Sequence, residues 1–219
     1  MFDTAPRLTY GDVTLRGIRP RDAKVLETEL LQNRPWLERW EATLPGTQPT
    51  GRFDTRASIR SLLDADRQGS ALSLAIEVDG EFAGQLNVAN ITGGALASCT
   101  LGYWIARRFA GRGATTTAVA LATDHLMRAM GLHRVEICIR PENVASLRVV
   151  EKLGFRYEGC RRRYIHIDGD WRDHLCFALV REELPEPVLD RFLAGQVPPF
   201  DRSVYPMQVG GDPRGTSST

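Results

Sequence analysis

Cys99-Thr-Leu-Gly-Tyr-Trp-Ile-Ala-Arg-Arg-Phe-Ala-Gly-Arg-Gly-Ala-Thr-Thr-Thr117 is the stretch on which the fold turns. Leu101, Tyr103 and Ile105 alternate with Thr100, Gly102 and Trp104, the period of a strand. A short basic loop follows, Arg107 to Gly113, and then a helix striped by Ala118, Val119, Ala122, Leu126 and Met130. A loop of this kind points unpaired N–H groups outward at the positive end of a helix dipole. Without bulk at Gly111 and Gly113, a phosphate can approach the backbone closely. The pattern is neither a P-loop, since no Gly-Lys-Ser/Thr follows, nor the Gly-x-Gly-x-x-Gly dinucleotide turn. Alone it equally describes a glycine-softened turn that binds nothing.

Working outward toward the N-terminus, Asp79-Gly80 joins two alternating runs, Ala71–Val78 and Glu81–Asn90, as a hairpin. Before them the spacing predicts a strand Val13–Ile18, a helix begun by Pro20-Arg-Asp22 with Asp22 as its cap, and a second helical piece opened by Pro35. A loop from Gly46 to Gly51 and a helix from about Asp54 to Arg67 follow. Toward the C-terminus, Gly131 stops the central helix, Val135, Ile137 and Ile139 form a strand ended by Pro141, and Asn143 caps a helix closed by Gly154. Two strands, Phe155–Ile167 and Trp171–Val180, flank Asp168-Gly169-Asp170, and a short helix spans about 186 to 194. The expected architecture is α/β, a mixed central sheet of about seven strands flanked by helices. Residues 1–194 form one domain in this reading. Residues 195–219, with four Gly and four Pro, form a partly flexible tail whose Phe200, Val204, Tyr205 and Met207 suit docking on the body.

The 219 residues carry a net charge of +1, so no global field recruits nucleic acid or a membrane surface. Neither a signal peptide nor a membrane-spanning run is visible, which reads as a cytoplasmic protein. Cys99, Cys138, Cys160 and Cys176 all fall on or beside strands without a Cys-x-x-Cys pair, as reduced thiols rather than disulfides, metal ligands or a nucleophile. His166 and His174 are expected to face each other across the last hairpin, one of them bordering an acceptor channel. Trp36 and Trp40, at helical spacing, either wall such a channel or staple helices to the sheet. Arg161-Arg-Arg163 reads as solvated charge, since three consecutive strand residues cannot share a face.

The order of elements over residues 8 to 183 resembles the GNAT N-acetyltransferase superfamily. Its phosphate loop, Gln/Arg-x-x-Gly-x-Gly/Ala, corresponds to Ala110-Gly-Arg-Gly-Ala-Thr115, with Ala110 and Thr115 departing from the pattern. Gly131-Leu-His-Arg-Val-Glu-Ile-Cys-Ile-Arg-Pro-Glu-Asn143-Val-Ala-Ser146, Val150 to Phe155 and Leu101-Gly-Tyr-Trp-Ile105 resemble the RimJ/RimL branch, the ribosomal-protein alanine N-acetyltransferases. Tyr164 to His174 is closest to the RimJ type. The resemblance implies acetyl-coenzyme A (acetyl-CoA) as co-substrate, held by Ile105, Gly111, Arg112, Gly113, Ala114, Thr115, Thr116 and Asn143. It makes Ser146 the group that protonates the departing thiolate, with Asn143 beside the pantetheine arm. Many members use a tyrosine seven residues after the asparagine, which here is Val150. A glutamate common before the Gly-Tyr pair is here Thr100 or Leu101, so no general base is assigned.

The implied reaction is acetyl transfer to a primary amine, with an N-terminal alanine of a small-subunit ribosomal protein as acceptor and a possible contact with the ribosome itself. No DNA, membrane or metal is expected, and the chain is read as a monomer or homodimer. Two alternatives stand beside it: an antibiotic or polyamine acetyltransferase, and a GNAT-shaped ribosome-assembly or regulatory module.

Overall fold

A computed structural model describes residues 6–46, 54–201 and 203. One eight-stranded sheet runs through the molecule, in the spatial order β1-β2-β3-β4-β5-β6-β8-β7. The strands are β1 (Arg7–Tyr10), β2 (Val13–Gly17), β3 (Leu72–Val78), β4 (Glu81–Thr92), β5 (Ser98–Ile105), β6 (Arg134–Ile139), β7 (Arg156–Ile167) and β8 (Asp170–Val180). The helices are α1 (Ala23–Gln32), α2 (Arg34–Leu37), α3 (Thr55–Arg67), α4 (Ala114–Asp124), α5 (Val144–Leu153) and α6 (Val188–Leu193). No helix among the described residues is long and apolar enough to cross a membrane.

The sheet has one strand more than its sequence pattern predicts. Arg7-Leu-Thr-Tyr10 lies mostly exposed on the sheet edge and pairs only with β2, so it carries no buried alternation to read. The Asp79-Gly80 hairpin forms as expected, both residues at positive φ (51° and 80°), as the turn between twisted strands demands. Asp22 does not cap α1. Its carboxylate is buried and accepts from Arg16 Nη1 at 2.7 Å and Nη2 at 3.0 Å, and from the Arg19 N–H at 2.8 Å. The buried guanidinium outcompetes the helix amides for it. The central helix also stops short of its stripe, giving way to a π turn over His125–Ala129. The Gly46–Gly51 loop lies largely outside the described residues.

The core has two layers. On one face α4 and α5 bring Ala118, Val119, Leu147 and Val150 against Leu15, Leu74, Leu86, Ile137 and Phe177. On the other, Leu26 of α1 and Ile59 of α3 pack on Ala75 and Phe82. Phe200 completes the first layer, its ring 6.0 Å from that of Phe177, while Val204, Tyr205 and Met207 fall outside the described residues.

All strand pairs are antiparallel except β5 with β6. That parallel pairing covers three positions, Ser98↔Arg134, Cys99↔Val135 and Thr100↔Glu136. Beyond Thr100, β5 stays with β4 as far as Ile105↔Gly84. Gly84 is obligatory for that embrace: a Cβ there would stand 2.2 Å from the Trp104 carbonyl oxygen. The sheet therefore opens into a wedge between the C-terminal halves of β5 and β6, and α4 and α5 both begin at its mouth.

Candidate active site

The loop from β5 to α4 fills one side of the wedge. Its two glycines sit in the left-handed region, Gly111 at φ 80° and Gly113 at φ 86°, where an L side chain is strained. Gly113 is the residue before α4, and no side chain caps that helix. The first-turn N–H groups of Ala114, Thr115 and Thr116 therefore face outward without an intrahelical partner.

Residues that the sequence reading passed over hold this loop in place. Asn33 Oδ1 accepts the Arg107 N–H at 2.9 Å, and the Asn33 amide nitrogen bonds buried Glu29, both its backbone oxygen at 2.8 Å and its carboxylate at 3.2 Å. Glu29 in turn pairs with the Arg108 guanidinium. Phe109 is buried beneath. Signals for this staple are absent locally, because its partners lie some seventy residues apart.

On the opposite side, Asn143 caps α5 as expected, its Oδ1 accepting the Ser146 N–H at 3.1 Å. Ser146 Oγ reaches across the wedge to Tyr103 Oη of β5, 2.8 Å away. Tyr103 was read as a strand residue only; the partnership depends on two strands parting by the right amount. The phenol's pKa is raised by burial, so Tyr103 keeps its proton at neutral pH and the pair shares one donor and one acceptor. Val150, where other members carry a tyrosine, is wholly buried in the core.

A cleft of about 590 Å³ joins these parts. Ile105, Gly111, Gly113, Ala114, Thr115, Thr116, Asn143 and Ser146 all line it. Arg112 does not; its guanidinium lies 6.0 Å over the Phe109 ring. Trp36 and Trp40 are cleft walls as well as staples, since Trp36 Nε1 donates to the Ile105 carbonyl at 3.2 Å. Arg39 and Arg140 cover Trp40 at 4.5 and 5.4 Å, and Arg140 Nη1 donates to the Arg39 carbonyl at 2.7 Å. Among the described residues Glu142 is the one carboxylate in the lining, and its Oε2 is taken by Arg140 Nε at 3.2 Å.

No histidine lines the cleft. His166 and His174 do not face each other: the register sets His166 against Trp171 and His174 against Arg161. Counting from the Asp168-Gly169 turn already sets His166 against Trp171, and the irregularity between Arg161 and Ile165, with Arg163 at φ 48°, then moves the partner of His174 from Arg163 to Arg161. His166 Nδ1 instead meets Thr43 Oγ1 at 2.8 Å, and buried His174 lies edge-on to Tyr164.

The arrangement fits a pyrophosphate-bearing thioester. Positive-φ glycines leave the loop face open, since a Cβ at either would meet nothing within 4 Å, and uncapped amides supply the positive helix end. The chain belongs to the GNAT acetyltransferase family: the profile described as the acetyltransferase (GNAT) domain matches residues 12–156. It is an N-acetyltransferase that takes acetyl-CoA as co-substrate and acetylates an amine. Among solved structures it is similar to Mycobacterium smegmatis RimJ in complex with CoA-disulfide, with 40% identity, a TM-score of 0.82, and 89% of this chain and 95% of that one covered. Among curated proteins it is 31% identical to the ribosomal protein uS5 alanine N-acetyltransferase of Escherichia coli, over 79% of this chain and 90% of that protein. It is also 25% identical to the spermidine N(1)-acetyltransferase of Escherichia coli, over 49% of this chain and 58% of that protein.

Proposed function

We propose that this enzyme acetylates a protein N-terminal α-amine, an alanine on a small-subunit ribosomal protein, rather than a lysine side chain. The observation that carries the reading is that, among the described residues, the cleft has no uncommitted carboxylate: Glu142 alone lines it and is held by Arg140. An α-amine has a pKa near 7.7–8.0 and lysine near 10.4, so neutralising lysine costs about 3.4 kcal/mol more. A site without a free base suits the acceptor that loses its proton more readily. The likeness to the uS5 alanine enzyme supports the same acceptor.

In the proposed mechanism, the amides of Gly113 to Thr116 hold the pyrophosphate, with Gly111 leaving room, and Ile105 and Asn143 border the pantetheine arm. The neutral amine attacks the thioester carbonyl, and a backbone N–H of β5, freed by the wedge, meets the oxyanion. Ser146 gives its proton to the departing sulfur. The acceptor nitrogen releases its surplus proton to solvent, and Ser146 recovers one from solvent through Tyr103. Tyr103 orients Ser146 while staying protonated, so acid and support sit on opposite sides of the wedge. Arg112, outside the cleft lining with its guanidinium over Phe109, contributes through the loop's shape.

The test compares turnover on an Ala-initiated peptide with turnover on its N-blocked twin carrying an internal lysine. Faster acetylation of the free N-terminus is expected. Equal or faster acetylation of the blocked peptide would overturn the reading. Rapid acetylation of spermidine or an aminoglycoside alone would favour a small-molecule acceptor, the reading that the partial likeness to the spermidine enzyme supports.

A further inference from the structure

On the sheet beyond the wedge, Cys138 of β6 and Cys176 of β8 are direct cross-strand partners with their Sγ atoms 3.1 Å apart. Neither lines the cleft nor takes part in acetyl transfer. Cys138 is half-buried and Cys176 buried. Arg161 reaches over from β7, its Nη1 3.6 Å from Cys138 Sγ and 2.7 Å from Glu136 Oε1. The two thiols titrate as a unit: the hydrogen bond to Cys176 and burial raise the Cys138 thiol, while the same bond, with Arg161 nearby, holds Cys176 below its ordinary value. The other two cysteines are placed differently. Cys99 is sealed in the core, where burial pushes its thiol up to about 12, and Cys160 faces Leu175 rather than a cysteine.

Residues directly opposite in an antiparallel pair stand about 4.5–5.5 Å apart at Cα. That lies inside the ~4.4–6.8 Å span of a disulfide, so bonding needs side-chain rotation and no strand movement. Glu136, Cys138 and Cys176 also bring three ligand atoms within 4.8 Å of one another, as a metal would require. Yet the Glu136 carboxylate is already paired with both Arg134 and Arg161. A cation entering there would have to displace two positive charges, whereas a dithiol closing there gives up two protons and two electrons and displaces no charged partner.

We propose that Cys138 and Cys176 form a reversible oxidation site, a dithiol that low-molecular-weight disulfides convert into an intrachain disulfide between β6 and β8. The pair gives up one proton to solvent from Cys176. The Cys176 thiolate takes the Cys138 proton across the 3.1 Å contact as Cys138, the more accessible sulfur, attacks one sulfur of the small disulfide. A mixed disulfide forms and one small thiolate leaves. Cys176, deprotonated in turn, attacks the Cys138 sulfur, and the second small thiolate leaves. Two protein thiols are thereby oxidised by two electrons, and one small disulfide is reduced to two thiols that carry away the two protons. The link would fix the strand that leads into Asn143 and Ser146.

The test treats the reduced full-length chain with excess glutathione disulfide, alkylates what remains, and maps tryptic peptides without reduction. The expected product joins residues 135–148 to 173–181, and dithiothreitol reverses it. Cys138→Ser and Cys176→Ser should each abolish that product and leave a stable glutathione adduct on the surviving partner. Full alkylation of both cysteines after treatment would overturn the proposal. So would a link from residues 157–161, which carry Cys160, or two separate glutathione adducts on the unmodified sequence. Protection of both thiols from alkylation by one equivalent of zinc would replace it with a metal site.

Discussion

At the scale of residues, the Tyr103–Ser146 contact separates a catalytic role from a merely structural one. Ser146→Ala should lower kcat by about 10²-fold, the lower end of what general acid–base groups contribute, with the KM for acetyl-CoA nearly unchanged. Tyr103→Phe keeps the ring and should lower kcat less. The double variant should lose little beyond Ser146→Ala, because the phenol acts through the serine. Steady-state kinetics on the four forms decide it, and a loss confined to KM would return Ser146 to capping alone. Glu158 carries a pH dependence of a different kind. Hydrogen bonding to Arg134, joined by Arg156 against an opposing cost of burial, holds its carboxyl at about 2, well below its ordinary 4.5. A carboxylate depressed on folding adds stability that is complete above the unfolded pKa and lost as pH falls through the folded one. The melting temperature should therefore fall between about pH 4.5 and pH 2, and Glu158→Gln should flatten that part of the profile.

At the scale of elements, the β5–α4 loop is where sequence and structure agree most fully. Gly113 at φ 86° both starts α4 and leaves its amides uncovered. Gly113→Val should abolish the rise in melting temperature that acetyl-CoA gives the unmodified chain, a shift expected because a ligand bound only to the folded state stabilises it. Retention of the shift would take the phosphates away from this loop. Such features were legible because they are local: a left-handed glycine before a helix, Asn143 with its cap three residues on, Asp79-Gly80 between alternating runs. What was illegible depends on distance or competition. Asp22 looks like a cap until buried Arg16 claims it, and Asn33 and Glu29 become loop staples only once α1 is folded beside the loop. The His166–His174 pairing failed because the two lie at unequal distances from the Asp168-Gly169 turn, which sets His166 against Trp171, while the shift at Arg161–Ile165 changes only the partner of His174.

For the whole molecule, we propose the division read from the sequence, a body over residues 1–194 and an extension over 195–219. The extension's first part contributes to the core in this reading. Phe200 lies against Phe177, and Val197 Cγ1 comes within 3.0 Å of where a Cβ on Gly154 would stand, at the end of α5. Ending the chain after residue 194 should lower the melting temperature by several degrees, since uncovering an aromatic contact costs about 1–2 kcal/mol. Phe200→Ala should reproduce most of that loss, as differential scanning calorimetry of both would show.

The wedge also has a consequence for how the chain opens and closes as a cooperative system. Backbone hydrogen bonding between β5 and β6 rests on three register pairs, so the strands up to β5 and the strands from β6 onward should open as two foldons across a narrow seam, held together by their shared core. Native-state hydrogen exchange of the free protein should then show two plateaus of protection, one for β2 to β5 and one for β6 to β8. Acetyl-CoA, spanning α4 on one unit and α5 on the other, should draw the two plateaus together. A single plateau without ligand would mean that the seam transmits opening as well as an unbroken sheet does.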